Sequence, residues 1–125
     1  MPLVMKQLSD SLFALSSDIR YVALRIGDRL SLQQREDISE ASSSESDRYE
    51  ELLVNPTLLT LVGERGRIDC GGLEFIIIRY GNFFQLVHPV KEGHVSIAIE
   101  PSGDPLNLVA GIRQILTLQN LWPVT

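Results

Sequence analysis

The 125 residues set a prior of one domain, and 44% hydrophobic with 22% charged residues place the chain among ordinary globular proteins rather than disordered ones. Sixteen acidic against eleven basic residues leave a net charge of −5, so counterion release on nucleic acid has little to work with and an anionic membrane is an equally poor partner. The longest apolar runs, such as residues 52–54 and 75–78, fall far short of the roughly 20 residues that span a bilayer.

The opening MPLVMKQLSD carries one Lys6 and turns polar at Gln7, which is not the layout of a secretory signal. Together with the single Cys70, which cannot pair internally, this points to a reducing cytoplasmic setting. Leu8, Leu12 and Leu15, behind Val4 and Met5, recur at helical spacing and predict an amphipathic helix over residues 3–16. The period then changes. IRYVALRI alternates Val22, Leu24 and Ile26 with Tyr21, Ala23 and Arg25, and Gly27-Asp28 turns it into RLSLQQRE, a β-hairpin.

Residues 37–47, DISEASSSESD, read as a loop ending in a helix cap, with Ser46 or Asp47 accepting from the first free amides and Glu50 at capping-box spacing from Asp47. A helix follows from Arg48, but Asn55-Pro56 lies in its middle. The element is either kinked or split, with Asn55 capping a second segment that starts at Pro56. Gly63 and Gly66 act as stop signals. Three strands come next, LEFIIIRY (73–80), FFQLVHPV and HVSIAIE, joined by Gly81-Asn82 and by Lys91-Glu92-Gly93. Asp104 caps a last helix with a stripe of Leu108, Ile112, Ile115 and Leu116. The order is αββαβββα. A five-stranded antiparallel sheet must have helices on at least one face, which makes the fold class α+β.

No catalytic set assembles from these residues. Cys70 lies in a glycine turn with no adjacent base to lower its thiol pKa, and reads as a turn residue. His88 and His94 flank the last hairpin and offer the best metal geometry, facing each other across it, but two imidazoles fall short of a zinc site and read as exposed hairpin histidines. GERGRIDCGG matches no phosphate-binding pattern. Asp47, Glu50 and Glu51 read as first-turn acids that suit the helix dipole, the serine run as loop and cap, and Trp122 as packing for the last helix. No enzyme, cofactor or metal is expected.

One feature exceeds ordinary packing. The centre of LEFIIIRY is apolar on both faces, Phe75 and Ile77 on one and Ile76 and Ile78 on the other, and the preceding helix is apolar around much of its circumference through Tyr49, Leu52, Leu53 and Leu59. These eight residues form either a dimer interface or an unusually buried strand and helix within one chain. The strand has no sequence neighbour on its leading side, so it is expected at a sheet edge.

The opening helix running into IRYVALRIGDRL, the helix from Asp47, the GGLEFIIIRYGNFFQLVHPV hairpin and the helix after Asp104-Pro105 resemble the roadblock family of dynein light chains and bacterial GTPase regulators, over roughly residues 5–118. The resemblance implies a profilin-like fold: five antiparallel strands, the second helix on one face and the other two on the opposite face. It also implies a dimer in which the third strand pairs with its copy and the second helix packs on its copy. Such a protein would be a cytoplasmic adaptor or regulator of Ras-like small GTPases or motor complexes, without enzymatic activity. The alternative is a small-ligand sensor of PAS-like or profilin-like architecture, with Tyr21, Arg79, Tyr80 and His88 lining a pocket.

Overall fold

The structure, a computed structural model, describes residues 2–35 and 44–124. In chain order it contains α1 (Pro2–Leu15), β1 (Ile19–Ile26) and β2 (Arg29–Gln34), then a long central helix in three segments: α2 (Ser44–Tyr49), a π-turn (Glu50–Val54) and α3 (Asn55–Asp69). After it come β3 (Ile76–Arg79), β4 (Phe84–Val90), β5 (Gly93–Ile99) and α4 (Pro105–Leu118). The strands form one antiparallel sheet in the order β2-β1-β5-β4-β3, so the α+β class holds and β3 lies at an edge. No helix among the described residues is long and apolar enough to cross a membrane.

Strand alternation divides the sheet into two unlike faces. Val22 and Leu24 of β1, Leu86 and Val90 of β4, and Val95, Ile97 and Ile99 of β5 meet Met5, Leu8 and Leu12 of α1 and Ile112 and Leu116 of α4 in one dry core. Each such side chain, fully withdrawn from water, contributes roughly 1.5–3 kcal/mol. On the other face only Tyr21, Ala23 and Ala98, with Leu30, Leu32 and Phe83, form a small apolar cluster. Val87, Ile76 and Ile78 also lie on that face, but its centre is polar, with Gln85, His94 and Ser96, and it is the side on which the central helix bonds to the sheet.

The hairpin turns fall where the glycines predict them: Ile26 pairs with Arg29 around Gly27-Asp28, Arg79 with Phe84 and Val90 with Gly93. β3 is shorter than the expected 73–80, because its ladder stops where Ile76 meets Val87. Extending it would place Glu74 opposite Pro89, which has no amide to donate.

The central helix differs most from its sequence reading. Asn55 does not cap a second segment: it is itself helical (φ −65°, ψ −44°), and its amide donates to the Glu50 carbonyl five residues back. Pro56 cannot bond the carbonyl four residues before it, and the wider π-turn takes up that missing bond without breaking the rod. The chain is already helical at Ser44, so Ser46 and Asp47 are inside the helix rather than caps. Residues 37–43 of the expected loop lie outside the described residues. Neither Gly63 nor Gly66 stops the helix, which runs on to Asp69, although the Gly66 carbonyl closes its end by accepting from Cys70 and Gly72, both at 3.1 Å. Asp104 does stand at the N-cap position of α4, ahead of Pro105, but makes no side-chain cap bond.

Two glycines separate steric demand from mere permissiveness. A Cβ on Gly93 would lie 1.6 Å from the Arg25 carbonyl oxygen, whereas one on Gly63 would meet nothing within 4 Å. Gly93→Ala should therefore destabilise by about 1–3 kcal/mol or more, and Gly63→Ala, inside a helix, should stabilise by roughly 0.5–1 kcal/mol. Denaturant unfolding of the two variants beside the wild type checks both signs.

Candidate functional site

The π-turn brings Glu51 and Asn55, four residues apart, onto the sheet side of the central helix, and both are completely buried. Glu51 takes three hydrogen bonds. The Tyr21 hydroxyl donates to Oε2 at 3.0 Å, and Asn55 Nδ2 (2.9 Å) and His94 Nε2 (2.8 Å) donate to Oε1. Asn55 Nδ2 also reaches Ser96 Oγ at 3.4 Å, and Gln85 Nε2 donates to the same hydroxyl. Helix, β1, β4 and β5 are thus tied by one directional polar set. Its one buried side-chain atom without a partner, among the described residues, is Asn55 Oδ1. Burial and the carboxylate of Glu51 push the Tyr21 hydroxyl far above its ordinary pKa, so it serves only as a donor.

Beside this set, between the start of the central helix and the β3–β4 turn, opens a cavity of about 390 Å³. Its walls include Tyr21, Tyr80 and Phe83, the carboxylates of Asp47, Glu50 and Glu51, and Arg20. Tyr80 and Phe83 pack with centroids 5.3 Å apart, and the Tyr80 hydroxyl donates to Glu50 at 3.1 and 3.2 Å. Burial raises the Glu50 carboxyl above its ordinary 4.5, and the neighbouring Glu51 and Asp47 charges add to the rise. Burial likewise pushes the Tyr80 hydroxyl up to about 12.

The opposite face holds a separate cluster. His88 Nδ1 donates to the Pro89 carbonyl at 2.8 Å, while Nε2 accepts from the Arg113 guanidinium at 3.2–3.3 Å. That arrangement fixes the neutral tautomer, and burial holds the pKa below the usual histidine value. Trp122 stands edge-on to His88 at 4.7 Å and under Arg113 at 4.9 Å, so it pins the closing segment to α4 as its position suggests.

The two histidines therefore do not face each other, nor are they exposed. His88 pairs with Val95 and His94 with Pro89, a one-residue offset that sends the rings to opposite faces, both buried. Among the described residues no three His, Cys, Asp or Glu side chains converge as metal ligands. Cys70 is an exposed free thiol at the end of α3. Glu51 is not a solvated first-turn acid but the centre of the buried set.

Of the four residues expected to line a ligand pocket, Tyr21 and Tyr80 meet at the cavity. Arg79 is exposed, bonded to the Tyr80 and Gly81 carbonyls, and His88 lies across the sheet. Of the expected interface residues, Tyr49 and Leu53 are exposed, while Leu52, Leu59, Phe75, Ile76, Ile77 and Ile78 are half-buried. Ile77 packs on the main core. Ile76 and Ile78 pair with Val87 and Gln85, which places them on the face that carries the central helix.

Two outcomes follow. Glu51→Ala strands three buried donors and should cost roughly 3–5 kcal/mol, read by denaturant unfolding. Glu50 has a raised pKa in the folded state, so the native protein holds its proton more tightly than the unfolded chain, and that contribution fades as pH rises above 4.5. Glu50→Gln should match the wild type in acid and exceed it at neutral pH. Unfolding at about pH 4 and pH 7 checks the divergence.

No family model matches the chain, and no curated protein matches it. Among solved structures, the gliding protein MglB from Thermus thermophilus is similar, with a TM-score of 0.62 at 11% sequence identity, covering 92% of this chain and 86% of that one. The chain has the fold of that gliding protein, a five-stranded antiparallel sheet flanked by helices, and its resemblance to the roadblock family holds at the level of the fold.

Proposed function

We propose that the protein is a non-enzymatic homodimeric regulator or scaffold whose partner is another protein, of the Ras-like small GTPase class. The observation that carries the reading is an apolar outer surface on the central helix: Tyr49, Leu53, Leu61 and Ile68 are 61%, 57%, 65% and 76% exposed in the single chain. A stripe of that kind is a liability in a monomer. The second support is β3, an edge strand whose outer backbone groups have no ladder partner among the described strands. Pairing β3 with its copy would satisfy those groups and bring the two central helices together across a twofold axis. Tyr49, Leu52, Leu53 and Leu59, with Phe75 to Ile78, would then be covered in an interface of roughly 1,200–2,000 Å².

The partner class comes from the roadblock resemblance, and the name of the structurally similar gliding protein fits the motor-linked side of that resemblance. A binding module needs no convergent catalytic groups. Its cytoplasmic setting follows from the same reading.

Sedimentation equilibrium at micromolar concentration should give twice the chain mass. Leu53→Lys alters a side chain already exposed in the protomer, so it should yield a folded monomer, with an ammonium placed where the apolar contact was. Mass spectrometry of proteins captured from native lysate by the wild type, and lost with Leu53→Lys, should return a small GTPase. A monomeric wild type would remove the interface and with it the reading.

A further inference from the structure

We propose that the cavity at the start of the central helix binds an organic cation, an ammonium or guanidinium group on a short carbon chain, with Glu50 as its counter-ion and Tyr21, Tyr80 and Phe83 as its aromatic walls. A volume of about 390 Å³ lies within the range of small-ligand sites. The acidic side chains alone would not make a site. What distinguishes this one is the combination of a concave, half-open space, aromatic surface and a carboxylate that no cation among the described residues pairs with.

That carboxylate belongs to Glu50. Glu51, also in the wall, is fully engaged by Tyr21, Asn55 and His94. Glu50 is half-buried, and its hydrogen bonds among the described residues come from one neutral hydroxyl, which has a single proton for two carboxylate oxygens. The charges that act on it, Glu51 and Asp47, are both negative. Arg20, the basic residue of the wall, is turned to Glu100 at 3.4 Å and stands over the Phe83 ring at 5.6 Å. A carboxylate desolvated among like charges is relieved by a cation, and aromatic faces favour a cation over an anion or a neutral group. An anion would meet three carboxylates. A metal ion would find no convergent set of three ligands among the described residues. The ring surface suits the carbon chain and the diffuse charge of an organic cation.

The test is a titration of the ¹⁵N-labelled full chain followed by amide chemical shifts. Agmatine is the free-molecule probe, and a capped peptide with one arginine between glycines is the probe for a partner's side chain. Saturable shifts at Tyr80, Gly81 and Asn82, with a roughly millimolar dissociation constant, are expected for at least one probe. Tighter binding of agmatine assigns a free small molecule, and tighter binding of the peptide assigns capture of a protein side chain. Glu50→Gln keeps the Tyr80 hydrogen bond and removes only the charge, so it should weaken the better probe about tenfold or more. Absence of saturable shifts from both probes, or equal affinity in Glu50→Gln with its amide spectrum otherwise native, would overturn the proposal.

Discussion

The position of the central helix depends on one buried carboxylate. Glu51 enters the polar face of the sheet from a π-turn and takes donors from Tyr21, Asn55 and His94. An apolar helix-on-sheet contact tolerates sliding by a fraction of a turn, since dispersion and burial are non-directional. A carboxylate with three donors from two strands and its own helix does not, because any shift leaves a buried polar group unpaired at a cost of about 1–3 kcal/mol each. Stability itself comes mainly from the other face, where α1 and α4 close a dry core on Leu86, Val95, Ile97 and Ile99.

This division has a functional consequence. A helix held by a few internal bonds, rather than by a wide apolar face, has its remaining hydrophobic side chains to present outward. Tyr49, Leu53, Leu61 and Ile68 do so. The same polar anchoring leaves Glu50, the residue before Glu51, at the wall of a cavity with Tyr80 and Phe83. The exposed apolar surface and the cavity thus share one cause, the way the central helix is seated.

Much of this was legible in the sequence. IRYVALRI read as β1 to the residue, because period-two alternation between Ser16-Ser17-Asp18 and the Gly27-Asp28 turn leaves little choice, and the short turns fixed an antiparallel meander. The edge position of β3 followed from connectivity alone. What escaped were features set by tertiary register. Whether His88 and His94 share a face turns on a single residue of strand offset. Asn55-Pro56 signals a broken helix by local rules, and only the chance to widen one turn and bury Asn55 against Ser96 keeps the rod continuous. Glu51 looked like any first-turn acid because nothing in its neighbourhood in sequence announces the His94 and Tyr21 donors brought by distant strands.

The most direct test of this account is a double-mutant cycle on Glu51 and His94. It combines Glu51→Ala, His94→Ala and the double variant with the wild type, read by denaturant unfolding at one fixed protein concentration. If the carboxylate seats the helix, the two changes should couple by at least about 1.5 kcal/mol, well beyond the roughly 0.3–0.5 kcal/mol scatter of independent sites. Additive losses within that scatter would contradict it.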